Sequence, residues 1–157
     1  MLRESRVVGY ETARPDIQLH VPSTARTILD LGCSNGALGA ALKARQGATV
    51  LGVELGEEYA REAETRLDRV IVADAEAFAA GAAPPEAPFD CLIAADVLEH
   101  LRDPWTALRG VVAMLAPGAT AVVSLPNVLF WLVTTSWPER CCVGCMLPTH
   151  RSVGASS

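Results

Sequence analysis

The chain has 157 residues, half of them hydrophobic, and a formal net charge of −5; that is room for one domain with one core, burying about 70 % of its unfolded surface. An acidic balance with scattered arginines excludes the concentrated basic face that a phosphate backbone demands, so no nucleic-acid partner is expected. Residues 1–7 lack the apolar centre of a signal peptide, and no stretch runs to 18 apolar residues without a proline or polar break, so no membrane partner is expected and the cytoplasm is the default.

In chain order, Thr27 to Leu31 is short, apolar and β-branched at its start, the pattern of a fully buried parallel strand, and Gly32 lets the chain turn sharply where it leaves the sheet. Asn35 to Arg45 carries Leu38, Ala41 and Leu42 at helical spacing, so the intervening loop delivers its N–H groups at a helix N-terminus. A second strand, Thr49 to Leu55, ends on Glu54, eighteen residues beyond Gly36. That is close to the roughly 20-residue spacing at which a carboxylate grips ribose hydroxyls in a nucleotide-binding α/β sheet. A dinucleotide site would want Gly-x-Gly-x-x-Gly, but the matching positions are Gly32, Ser34 and Ala37, which disfavours a nicotinamide oxidoreductase.

The helix expected over 57–67 opens on two acids and pairs Glu57 with Arg61 and Glu62 with Arg66, a solvated face. Breakers crowd Gly81 to Pro88, and Asp90 to Ala95 reads as the next buried strand. If a helix starts directly after it, Asp96, Glu99 and His100 share one face at the sheet edge. His100 is then a candidate general base, since imidazole titrates near working pH, while Glu99 and His100 equally suit capping of the turn. Asp103-Pro104 reads as an N-cap with proline at the first helical position, and Pro117-Gly118 as that helix's stop. Trp105, Leu108, Val112 and Leu115 fall on one stripe and are predicted as core.

The run Asp30-Leu-Gly32-Cys33-Ser34-Asn-Gly36 resembles motif I, acid-x-Gly-x-Gly-x-Gly, of the class I S-adenosylmethionine (SAM)-dependent methyltransferases, with Ser34 in place of the middle glycine. Ile71 to Glu76, Phe89 to Pro104, and Leu115 to Gly118 followed by Ala121 to Asn127 resemble later strands and turns of the same family in the same order. The resemblance covers residues 8–127 and is closest to small bacterial methyltransferases of the ubiquinone-pathway and cell-surface-glycan type. It implies a Rossmann-like α/β three-layer sandwich with a mostly parallel sheet of five strands, the family's last two strands lacking. It also implies SAM as cofactor and a small-molecule acceptor methylated at a hydroxyl oxygen. Asp30 and the loop residues Gly32, Cys33, Ser34 and Gly36 would face the methionine portion, Glu54 with Leu55 the ribose, and Asp74 with Ala75 the adenine. Ala95 and Asp96 would meet the amino group, and Tyr10 and Arg14 precede the first strand, where Arg14 would pair with the methionine carboxylate as a planar fork. His100 and Glu99 are the expected catalytic pair. In ubiquinone-pathway relatives a matching acid-x-x-Glu-His run can hold a divalent cation, a role not favoured here, and no metal ligands are assigned.

The pattern changes after Asn127, so the expected organisation is a SAM-binding core over 1–127 and a divergent tail over 128–157, read as a truncated or frame-shifted remnant. Cys141, Cys142, Cys145 and His150 have irregular spacing and are disfavoured as a zinc set. Cys33 and Cys91 are expected as reduced thiols. A fifth strand left at the sheet edge beside an apolar tail predicts a homodimer or poor solubility. The alternative to an active enzyme is a cofactor-binding pseudoenzyme that cannot close a substrate pocket.

Overall fold

The computed structural model describes residues 11–125. Within them α1 (Pro15–Gln18), β1 (Thr27–Leu31), α2 (Ala37–Gln46), β2 (Thr49–Glu54), α3 (Glu57–Glu64), β3 (Arg69–Val72), α4 (Ala75–Ala80), β4 (Phe89–Ala95), α5 (Pro104–Val112) and β5 (Leu115–Ser124) alternate along the chain. The five strands form one sheet in the order β3-β2-β1-β4-β5, and every pairing among them is parallel. The chain builds outward from β1 through β2 to β3, then crosses back to add β4 on the other side of β1. At such a reversal the connections leave the sheet in opposite directions and open a crevice at the strands' carboxyl ends.

Side chains alternate across the sheet, and the apolar runs of the strands feed both faces. Ile28, Val50, Cys91, Ile93 and Val122 point to one side, where they pack with Ile17 of α1, Leu38 and Leu42 of α2 and Ala63 of α3. Leu29, Leu31, Leu51, Val53, Leu92, Ala94 and Ala121 point to the other, against Phe78 and Ala79 of α4 and Ala107 and Val111 of α5. The result is the expected three-layer α/β sandwich, with its sheet parallel throughout the described residues. Asp30 shares the parity of Ile28, so it enters the layer beneath α1 to α3.

Two expectations along α5 are corrected. The helix begins as expected, with the Asp103 side chain accepting from the Thr106 N–H at 3.0 Å; Leu108, Val112 and Leu115 pack part-buried against the core as expected, but the deepest positions are Ala107, Val111 and Met114, and Trp105 is 71 % exposed. Two residues are about 200° around a helix, so burying Ala107 turns Trp105 outward. The small residues face inward because α5 lies hard against α4: a Cβ on Gly110 would sit 2.2 Å from the Ala79 carbonyl oxygen. Pro117-Gly118 does not stop the helix either. It ends at Val112, the Phe89 N–H takes the Met114 carbonyl at 3.0 Å, and β5 starts at Leu115. Pro117 and Gly118, at φ 83°, lie where the β4–β5 register is irregular, a place where a strand tolerates proline. Tyr10, Pro126 onward, the tail, its cysteines and any sixth or seventh strand lie outside the described residues.

Candidate functional site

The loop leaving β1 is built on left-handed turns. Gly32 and Gly36 have φ of 75° and 77°, and Ser34 adopts 49° without being a glycine. The N–H groups of Gly32 and Cys33 both reach the Val53 carbonyl, at 2.8 and 3.0 Å, which folds the loop over the end of β2. Gly52 makes room for this: a Cβ there would lie 2.5 Å from the Cys33 sulfur. Glu54 completes the junction, its Oε2 accepting from the Ser34 N–H at 2.9 Å and its Oε1 from the Gly56 N–H at 2.8 Å. A carboxylate has about four lone-pair sites, so two remain for a ligand. The sequence spacing found Glu54 but not this clamp.

A cleft of about 390 Å³ opens above this junction. Of the residues expected at a cofactor, Gly32, Ser34, Glu54, Leu55, Asp74, Ala75, Ala95 and Asp96 line it, as does His100, expected as a catalytic base. Val53, Tyr59, Ala73, Val97 and Leu101 line it too, beyond the residues that the sequence pattern marks; Tyr59 is a half-buried residue of the first turn of α3. Asp30, Cys33, Gly36, Arg14 and Glu99 are not among its lining residues. Asp74 is the N-cap of α4, its Oδ1 accepting from Glu76 and Ala77 N–H at 2.9 and 3.1 Å. Leu55 is 66 % exposed and offers an apolar surface beside Glu54.

Asp96, Glu99 and His100 do not share a helical face. Asp96 turns left-handed at φ 53°, and a single 3-10 turn, Leu98–His100, starts only two residues later. The Asp96 N–H donates to the Ser124 carbonyl and hydroxyl oxygens, both at 3.1 Å, and the Ser124 hydroxyl donates to Oδ1 at 2.7 Å. Arg14 holds Oδ2 at 3.0 Å and forks onto Asp16 with its remaining nitrogens. Burial works against the Arg14 charge, but Asp16 and Asp96 outweigh it and raise the guanidinium further. His100 Nε2 lies 3.8 Å from Glu99 Oε1, with the side chains 66 % and 23 % exposed respectively. Burial pushes the Glu99 carboxyl above its ordinary value. Among the described residues no group of three side chains that could hold a metal ion occurs.

Asp30 is 2 % exposed, and its Oδ2 has no hydrogen-bond partner among the described residues. Burial first and the Glu54 charge second push its carboxyl up to about 7, against a smaller pull from Arg14. Cys33 and Cys91 are buried free thiols as expected; burial, then the neighbouring Asp30, raises both, Cys91 to about 12. Among the described residues no helix is long and apolar enough to cross a membrane.

A family model described as a methyltransferase domain matches residues 10–150. The ubiquinone biosynthesis O-methyltransferase of Psychrobacter arcticus is 30 % identical over 131 residues, covering 80 % of this chain and 51 % of that protein. That of Xylella fastidiosa is 35 % identical over 114 residues, covering 71 % and 46 %. The chain thus spans about half the length of these relatives. A SAM-dependent methyltransferase from Archaeoglobus fulgidus has the same fold, with a TM-score of 0.63 at 21 % identity over 74 % of this chain and 52 % of that one. The family model matches most of the chain and the relatives share its sequence over most of its length, so the chain belongs to the class I SAM-dependent methyltransferase family.

Proposed function

We propose that the cleft binds SAM and that the protein transfers its methyl group to the hydroxyl oxygen of a small molecule. The observation that carries this reading is the convergence of Glu54, Asp74 and the Gly32–Gly36 loop on one cleft at the sheet's point of reversal. Glu54 keeps lone pairs for ribose hydroxyls. Asp74 has a second oxygen outside its cap for the adenine amino group, and Leu55 with Tyr59 supplies apolar surface for the base. Asp96 and the backbone at Ala95 offer acceptors for the ligand's ammonium group. The glycine positions are needed because a Cβ on Gly32 would press on Val97 at 3.0 Å, where the loop approaches the cleft wall. Bound there, SAM would supply a methyl group made electrophilic by its sulfonium.

The protein's own contribution is placement and proton removal. His100 lines the cleft with most of its ring accessible, so it can take a proton from an acceptor hydroxyl. Glu99 beside it stabilises the imidazolium that results. The match to ubiquinone biosynthesis O-methyltransferases supports oxygen as the methylated atom. Calorimetric titration with SAM, its demethylated product S-adenosylhomocysteine (SAH) and NAD tests the cofactor, and SAM and SAH should bind where NAD does not. Methyl release with a panel of phenols and catechols tests the reaction. His100→Ala should lower turnover by about 10²-fold or more while sparing SAH affinity. SAH binding without methyl release from any acceptor would favour the pseudoenzyme instead.

A further inference from the structure

Asp30 is a titratable group that the proposed reaction does not use. Register places it opposite Gly52 of β2 and Ile93 of β4, in the layer that α2 and α3 fill with Leu38, Leu42 and Ala63. The charges acting on it are Glu54, at the cleft, and Arg14, whose donors are already on Asp16 and Asp96. The thiols of Cys33 and Cys91 lie nearby, and Arg45 of α2 acts on Cys91. A carboxylate with a buried, unpaired oxygen and a like charge for a neighbour is far costlier than the neutral acid. The ligand-free chain therefore keeps the proton on, in accord with a carboxyl raised to about 7.

Resting on the functional reading above, we infer that uptake of SAM drives a proton off Asp30 into solvent, so that the cleft holds its cationic ligand more tightly as pH rises through neutrality. SAM carries an ammonium and a sulfonium against one carboxylate. Seated in the cleft that Glu54 lines, that positive charge offsets the Glu54 repulsion, which adds to burial in keeping Asp30 neutral. The O–H bond of Asp30 breaks, the electron pair stays on oxygen, and the proton passes to buffer; nothing is oxidised or reduced. SAH has lost the sulfonium charge, so it releases less proton, and transfer of the methyl group lets Asp30 take its proton back. The ratio of SAM to SAH affinity therefore rises with pH.

The test is calorimetric titration of SAM, with no acceptor present, in two buffers of different ionisation enthalpy, on the wild type and Asp30→Asn. The wild type should release about half a proton more per SAM than the variant at pH 7, and less with SAH. Its SAM affinity should rise roughly tenfold between pH 6 and pH 8, while that of the variant stays level apart from the ligand's own amine, which both share. Equal proton counts and parallel pH profiles would overturn the coupling. If the variant does not fold, carbon-13 shifts of aspartate carboxyls in the wild type decide. Asp30 should titrate near neutrality alone and be ionised with SAM bound, and an Asp30 already ionised in the free chain at pH 6 would overturn it. Binding that leaves Asp30 unchanged removes the coupling alone, whereas no SAM binding at any pH removes the functional reading and the coupling with it.

Discussion

Ser34 shows how a single residue departs from what its position asks. It holds a left-handed φ of 49° where the family motif has glycine, and a side chain there costs about 1–2 kcal/mol. Ser34→Gly removes that strain but gives back about 0.5–1 kcal/mol of unfolded-chain entropy. The net expectation is a gain of about 0.5 kcal/mol in urea unfolding, with the Ser34 N–H still held by Glu54. Titration supplies a second residue-scale prediction. Asp30 keeps its proton to about 7 in the folded chain, whereas an unfolded aspartate loses it near about 4. Between those values the folded state binds more protons, so stability falls as pH rises through the window. Asp90 acts with the opposite sign. The Arg26 N–H first and then the Thr27 N–H lower its carboxyl, so its contribution is present above the ordinary value and is lost as pH falls through the lowered one. The free chain should be most stable in mild acid, with the melting temperature dropping toward neutrality, and Asp30→Asn should flatten that drop.

Elements were legible where periodicity and caps agreed. β1 was read to the residue because its run is bounded by Gly32, and α5 began where Asp103-Pro104 placed it. On α5 the expected stripe holds at Leu108, Val112 and Leu115, which pack against the core, but not at Trp105, because the deepest positions go to Ala107 and Val111. Helices that approach as closely as α4 and α5 bury their smallest residues at the contact. Gly110→Ala measures this directly. Alanine improves helix propensity by about 1 kcal/mol, but its Cβ would lie 2.2 Å from a backbone oxygen of Ala79, which no rotamer change relieves. Overpacking of about 1–3 kcal/mol should win, and the urea midpoint should fall with an unchanged slope. A midpoint that rises would mean that the two helices separate at little cost.

At the scale of the molecule, the cleft exists because β1 lies between β2 and β4, so a ligand seated there touches loops from both halves of the sheet. A ligand that binds only this assembled state stabilises all of it by mass action, about 2.7 kcal/mol at a hundred times its Kd. SAH at that excess should raise the melting temperature by on the order of 10 °C, and NAD should not. The alternation of strand and helix, the glycine turn and the acid at Glu54 are legible in the chain alone, because hydrophobic period, backbone freedom and spacing are local properties, while Asp74 came from the resemblance to the family's third strand. It took the assembled fold to show that Glu54 clamps two loops, that Asp96 is held by Arg14 and Ser124, and that Asp30 Oδ2 is buried in an apolar layer with no hydrogen-bond partner among the described residues. Those facts depend on residues far apart in the chain meeting at one depth of burial, and charge energetics follow burial rather than sequence distance.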